Sequence, residues 1–100
     1  YASAINAAVE AGIAVFAASG NSAIKDGIAT PACLANSISV GSVYDTDIQN
    51  TYRYCGNDTC TEILCTDAFP TARTVTCYSN SSFQLDILAP SEDLTAARPH

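Results

Sequence analysis

A helical pattern, a single glycine and an unbroken apolar run stand side by side near the start of the chain, and together they sharply limit its fold. Residues 3–11 carry apolar side chains at every third or fourth position, Ser3 can cap the helix, and Gly12 stands where helices often end. Residues 13–18 are all apolar, without alternation, which is typical of a parallel strand covered on both faces. The sequence therefore predicts an α/β fold.

Two further strands and an unusual middle segment are also predicted. Residues 37–44 and 85–89 have strand-like apolar content, and Pro90 is expected to end the second of them. Residues 45–73 are polar, rich in cysteine and poor in aliphatic side chains. We interpret them as an insertion folded around its own cross-links. Residues 1–100 are thus predicted to be part of a parallel-sheet domain that carries a cysteine-rich insertion.

The chain has five cysteines, and an odd count leaves at least one without a partner inside the chain. Several pairings are open, among them Cys55 with Cys60 and Cys65 with Cys77. The alternative is that four cysteine thiolates hold a structural zinc ion. The spacing of the cysteines, however, lacks the short C-x2-C pair that is typical of zinc sites. Cys33 is expected to be the unpaired residue, buried as a small hydrophobe. Cysteine at this density favours a secreted, disulfide-bonded protein.

The charge balance excludes some classes of partner. The formal net charge is −6, with four lysines and arginines in 100 residues, so the chain has no basic surface for nucleic acid. No apolar run approaches the length of a membrane-spanning helix. A sheet with open edges and apolar faces favours self-association, which we expect for this chain in isolation.

Four sequence blocks resemble those of the subtilisin-like serine proteases (subtilases). In chain order they are Ala17-Ala18-Ser19-Gly20-Asn21, Thr30-Pro31-Ala32, the strand 37–43, and Ser79-Asn80-Ser81 followed by residues 85–90. Each block alone is common, but four in the family's order are specific. The resemblance covers nearly the whole chain except residues 45–73. It implies a subtilisin-like fold and hydrolysis of peptide bonds in peptide or protein substrates.

The resemblance also implies a catalytic Asp, His and Ser in that order. The Asp and His would precede Asn21 and the Ser would follow the Ala-Pro block, and no residue of this sequence matches any of them. The only histidine, His100, stands at the wrong end, where we expect it to be inert. We therefore expect residues 1–100 to be a middle slice of a catalytic domain, inactive by itself.

One catalytic residue and four pocket residues follow from the resemblance. Asn21 matches the oxyanion-hole asparagine, whose amide stabilises the negative charge of the tetrahedral intermediate. Ala18, Ser19 and Gly20 resemble a wall of the substrate pocket, and Ala29 its floor, although the loop that carries Ala29 looks shorter than usual. The simpler alternative is that Gly20-Asn21 is an ordinary turn and that the small residues only pack closely.

No cofactor is assigned. Subtilases often bind calcium, but Asp45 and Asp47 alone are weak evidence for a site, and a solvated turn explains them better. The Thr30–Pro31 bond matches one that is often cis in this family.

Two other functions remain open from the sequence. The chain could belong to a non-catalytic subtilase-like domain whose segment 45–77 binds another protein, or it could be an independent disulfide-stapled binding module. An intact His upstream and Ser downstream would separate the protease from both.

Overall fold

In the computed structural model, residues 1–92 are described, so His100 lies outside the described part. One helix and five strands follow in chain order: α1 (Ala2–Glu10), β1 (Phe16–Ala18), β2 (Ile38–Val43), β3 (Thr51–Cys55), β4 (Ile63–Ala68) and β5 (Ile87–Pro90). They form a parallel three-stranded sheet in the order β1-β2-β5 and a separate antiparallel pair, β3-β4. The predicted α/β class with a cysteine-rich segment is confirmed.

Helix α1 begins and ends one residue earlier than predicted, and Gly12 stands just past its end, as expected. Tyr1 rather than Ser3 occupies the N-cap position, and its side chain makes no capping hydrogen bond. At the other end, Gly12 adopts a φ of +82° and donates its N–H to the carbonyl of Val9 at 2.9 Å. Glycine adopts this left-handed conformation without steric cost, which is why it ends the helix here.

Strand β1 is parallel to β2, as predicted, but it is shorter and more exposed than the apolar run suggested. The strand spans only Phe16–Ala18, and Phe16 stands opposite Ile38 in the register. Phe16 is 61% exposed and Ile13 58%. The prediction of cover on both faces is therefore wrong for the described residues. A parallel strand is buried only where helices lie on both faces of its sheet, and residues 1–92 contain one helix.

Strand β5 begins at Ile87 and includes Pro90, so both predicted ends were wrong. Before it, Asp86 pairs with Ser39 of β2 through side chains: the Ser39 N–H donates to Asp86 Oδ2 at 2.8 Å, and the Asp86 N–H donates to Ser39 Oγ at 2.9 Å. Regular pairing starts after this exchange. Pro90 fits because β5 is an edge strand, where a missing N–H is tolerated.

The predicted insertion contains the antiparallel hairpin β3-β4, in which Tyr54 stands opposite Cys65. The hairpin packs against Tyr78, which follows it in the chain: Tyr54 stacks on Tyr78 with 4.1 Å between ring centroids, and the Tyr78 hydroxyl is hydrogen-bonded to Ser42 of β2. Tyr78 is buried, and so is Tyr44, the residue that follows β2. The bounds of the insertion, 45–73, stay a prediction.

The buried residues are few and many are polar. They include Ile5, Ala32 and Val43 besides the two tyrosines, and the hydroxyl side chains of Ser19, Ser39, Ser79 and Thr76. Among residues 1–92, no helix is long and apolar enough to cross a membrane.

Candidate functional site

Asn21 lies at the edge of the parallel sheet where the strands have their carboxyl ends. Strand β1 ends at Ala18, and the N–H of Ser19 continues the pairing by donating to the carbonyl of Val40 at 2.8 Å. Asn21 follows two residues later and is exposed. Within residues 1–92 its carboxamide has no hydrogen-bond partner. This edge is where open α/β sheets usually bind their ligands.

The four residues expected to line a substrate pocket lie together beside Asn21. Ala18 and Ala29 are exposed, whereas Ser19 is buried. The Ala29 N–H donates to the Ser19 carbonyl at 2.8 Å. A Cβ atom at Gly20 would lie 3.1 Å from Ala29 Cβ, so these two residues are in direct contact.

The segment 77–81, which we call the clamp segment, holds the loop that carries Asn21. Its backbone exchanges hydrogen bonds with loop residues 20–27: the Asn80 N–H donates to Gly20 at 2.8 Å, the Ala23 N–H to Tyr78 at 2.9 Å, and the Ser81 N–H to Ile24 at 2.9 Å. The loop is therefore fixed along most of its length.

Two polar side chains strengthen this attachment, and sequence reasoning assigned a role to neither. Lys25 Nζ donates to the carbonyls of Cys77, at 3.0 Å, and Ser79, at 2.8 Å. Asn80 Oδ1 accepts the N–H groups of Ser22 and Ile24, each at 3.0 Å. The resemblance to the subtilases singled out Ser79-Asn80-Ser81. It did not predict which loop these side chains contact.

Asn80 also opens a glycosylation triplet with Ser81 and Ser82. Its side chain is 3% exposed and its oxygen is held by two backbone groups. A glycan at this nitrogen is incompatible with the fold.

The shifted pKa values belong to groups with structural roles. Burial raises the pKa of Tyr44, and the nearby Asp67 raises it further. Burial and the Glu92 carboxylate raise the pKa of Tyr52 to about 12, and burial likewise raises that of Tyr78. Hydrogen bonds from Ser39 lower the pKa of Asp86. The three phenols therefore stay protonated at neutral pH.

Four of the five cysteines form two disulfides, Cys55–Cys60 and Cys65–Cys77. The pairing considered from the sequence is confirmed, and the zinc alternative is excluded because its four ligands are bonded to one another. Cys33 is the free cysteine, as predicted, but it is exposed rather than buried. It lies in the turn between β1 and β2, where its neighbour Ala32 takes the buried position instead.

The acidic residues considered for calcium do not form a site. Asp47 Oδ1 accepts the N–H of Ala72 at 2.8 Å. Asp45 is half-buried rather than solvated, and its Oδ1 has no partner in the described structure. Across residues 1–92, no three His, Cys, Asp or Glu side chains come close enough to hold a metal ion.

Two cavities lie away from Asn21, near the amino ends of the strands. One, of about 550 Å³, lies between the end of α1 and the start of β2, and its lining includes Ile13, Val15 and Ile38. The other, of about 260 Å³, is lined by Cys33 and Gln84, among others. Asp86 borders both. Neither includes the residues around Asn21.

Comparison with known families gives one match. The model of the subtilase family matches residues 1–99. No significant match was found among curated proteins or among solved structures.

Proposed function

The chain belongs to the subtilase family of serine peptidases, and we propose that it supplies the oxyanion-hole asparagine, Asn21, of a secreted endopeptidase. Family membership supports a protease-type function and peptide substrates in general. The proposal adds the roles of individual residues. It also adds a parent protease, by which we mean a longer protein in which this chain forms the middle of the catalytic domain.

The observation that carries the proposal is the combination of an exposed, unbonded carboxamide with a fixed backbone. Attack on a peptide carbonyl places negative charge on its oxygen, and an N–H donor aimed at that oxygen stabilises the transition state more than the ground state. Asn21 is exposed, while Gly20 on one side and Ser22 on the other are held by Asn80. Such a donor needs little reorganisation during the reaction.

The small residues beside Asn21 suit an extended peptide. Ala18 and Ala29 are exposed, and Gly20 has no side chain between them. Short side chains let a substrate backbone come close to the sheet edge and leave room for the side chain before the scissile bond. We therefore assign Ala18, Ser19, Gly20 and Ala29 to the substrate pocket.

The nucleophilic Ser, the general base His and the Asp that orients it would come from other parts of the parent protease. Because no block of this sequence matches them, we expect purified residues 1–100 to be inactive. The measurement is turnover of a fluorogenic peptide over hours, with and without a serine-directed inhibitor. Inhibitor-sensitive turnover by the isolated chain would refute this part of the proposal.

The experiment for the oxyanion role is Asn21→Ala in the parent protease. Loss of one oxyanion donor lowers kcat by about 10²–10³, a magnitude that comes from the subtilisin family itself and is borrowed here. We expect a loss of that order with KM changed little. Asn36→Ala is the matched control, because Asn36 is an exposed asparagine whose carboxamide is hydrogen-bonded only to Asn6 in the described structure. Equal kcat values for the two variants would contradict the proposal.

A parent that lacks the Ser or the His would point to the second function considered above, in which the segment 45–77 binds another protein. The secreted location rests on the two disulfides, which persist in oxidising compartments.

A further inference from the structure

Asn80 contacts the residues on both sides of Asn21. Its backbone N–H donates to the Gly20 carbonyl at 2.8 Å, and its side-chain Oδ1 accepts the Ser22 N–H at 3.0 Å. One residue from a distant part of the chain therefore holds the position before Asn21 and the position after it. Among residues 1–92, Asn21 itself has no hydrogen-bond partner.

The carboxamide of Asn80 is shielded from water. The residue is 3% exposed, and its Oδ1 accepts a second N–H, that of Ile24, at 3.0 Å. Two backbone donors that converge on one buried oxygen define the path of the loop. When such an acceptor is removed, the donors lose their partner in a site that water does not readily enter.

Gly20 shows how closely the Asn21 loop and the clamp segment pack together. It adopts a φ of +103°, and a Cβ atom built there would lie 2.4 Å from Asn80 Nδ2. A side chain at position 20 would push the Asn80 carboxamide away from the loop. The contact thus requires glycine on one side and a buried carboxamide on the other.

The loop also holds a strained residue just beyond Asn21. Ala23 has a φ of +58°, a conformation that residues with a Cβ seldom adopt. Its N–H donates at 2.9 Å to the carbonyl of Tyr78, which lies two residues before Asn80 in the clamp segment. Strain of this kind persists only where surrounding contacts impose it, and here the clamp segment provides them.

We propose that Asn80 is a positioning residue for the oxyanion donor: its buried carboxamide fixes the backbone around Asn21 so that the Asn21 amide points at the reacting carbonyl. This inference rests on the proposed function and names a residue that acts through Asn21 without touching substrate. Displacement of a catalytic group by about 1 Å can cost about 100-fold in rate. We therefore expect substitution of Asn80 to lower kcat.

The test compares Asn80→Ala with Asn80→Asp in the parent protease. The alanine variant removes the acceptor, and we expect kcat to fall by about 10- to 100-fold with KM within about twofold. The aspartate variant keeps an oxygen in the same place for the Ser22 and Ile24 N–H groups, so we expect it to recover most of the loss. Asn36→Ala is again the control and should retain full activity.

Two readouts separate positioning from a general loss of structure. Binding of a peptide boronate, which forms a tetrahedral adduct, should weaken in Asn80→Ala by the same factor as kcat, whereas binding of a non-covalent peptide inhibitor should not change. Asn80→Ala combined with Asn21→Ala should be no slower than Asn21→Ala alone. Unchanged kcat in folded Asn80→Ala, or multiplied losses in the double variant, would overturn the proposal.

The outcomes distinguish the two proposals. If Asn21→Ala lowers kcat and Asn80→Ala does not, positioning fails and the oxyanion role stands. If Asn21→Ala leaves kcat unchanged, the oxyanion role fails, and positioning with it. Should Asn80→Ala not fold, hydrogen exchange in the unaltered protein gives the answer: the Ser22 and Ile24 amides should exchange as slowly as those of β2, and exchange at exposed-loop rates would refute the proposal.

Discussion

The phenol of Tyr44 donates a 2.7 Å hydrogen bond to Oδ2 of Asp67, and this bond joins the end of the parallel sheet to the cysteine-rich hairpin. Tyr44 is fully buried, directly after β2, whereas Asp67 lies in β4. The same carboxylate oxygen accepts the N–H of Cys77 at 2.8 Å. Asp67 therefore connects the sheet, the hairpin and the start of the clamp segment.

Removal of the Tyr44 hydroxyl should weaken the connection between the parallel sheet and the hairpin. Tyr44→Phe keeps the buried ring but leaves Asp67 with one hydrogen-bond donor fewer in a half-buried place. Hydrogen bonds to charged groups contribute about 1.5–3 kcal/mol, so we expect the free energy of unfolding to fall by about 2 kcal/mol. Urea denaturation measures the change. Tyr1→Phe is the control, since Tyr1 is 82% exposed, and equal effects of the two substitutions would contradict the role of the bond.

The two disulfides should differ in their effect on the Asn21 loop. Loop-closure entropy assigns about 3 kcal/mol to Cys65–Cys77, which are 12 residues apart, and about 2 kcal/mol to Cys55–Cys60, which are 5 apart. Paired replacement by alanine should lower stability by these amounts. Only loss of Cys65–Cys77 should also speed amide exchange in residues 20–27, because Lys25 bonds to the Cys77 carbonyl. Identical exchange in both variants would contradict this coupling.

Cys33 should be the one thiol that reacts in the folded protein. It is exposed, and its Sγ lies 3.5 Å from Thr30 Oγ1 in the same turn. We expect a thiol reagent such as DTNB to label one group per chain without denaturant or reductant, and Cys33→Ser to abolish the signal. Labelling of two or more groups would mean that a disulfide is open. No labelling would mean that Cys33 is covered or paired with another chain.

The parallel arrangement of the sheet was predictable because it depends on local composition. An unalternating apolar run beside a helix indicates a parallel strand, and residues 16–18 form one. The helix end at Gly12 was predictable for a similar reason, since few residues other than glycine adopt its φ without strain.

Burial was harder to predict because it depends on what lies above the strand. Phe16 has the composition of a core residue and is exposed in this structure. Cys33 shows the same limit: its position beside Pro31 and Ala32 did not indicate which of two neighbouring small residues faces inwards. Contacts between segments that are distant in the sequence could not be predicted either. The bonds from Asn80 to the loop after Asn21 join residues 56 to 58 positions apart.

Alkaline pH should destabilise the protein through its buried tyrosines. The pKa of Tyr52 is raised from 10.0 to about 12 by burial and by Glu92, and burial also raises the pKa values of Tyr44 and Tyr78. A raised pKa in the folded state means that the unfolded chain loses its phenolic protons at a lower pH than the folded chain does. The stability that these groups contribute is complete below pH 10 and is lost as the pH rises through the folded values.

For Tyr52 this linkage predicts a loss of roughly 1 kcal/mol between pH 8 and pH 11. Phenylalanine does not ionise, so in Tyr52→Phe the loss over the same range should be smaller by that amount, whatever the stability at pH 8. The measurement is urea denaturation at the two pH values, with absorbance at 295 nm to follow tyrosinate and a return to pH 8 to show reversibility. Equal pH dependence in the two proteins would show that Tyr52 ionises alike in the folded and unfolded states.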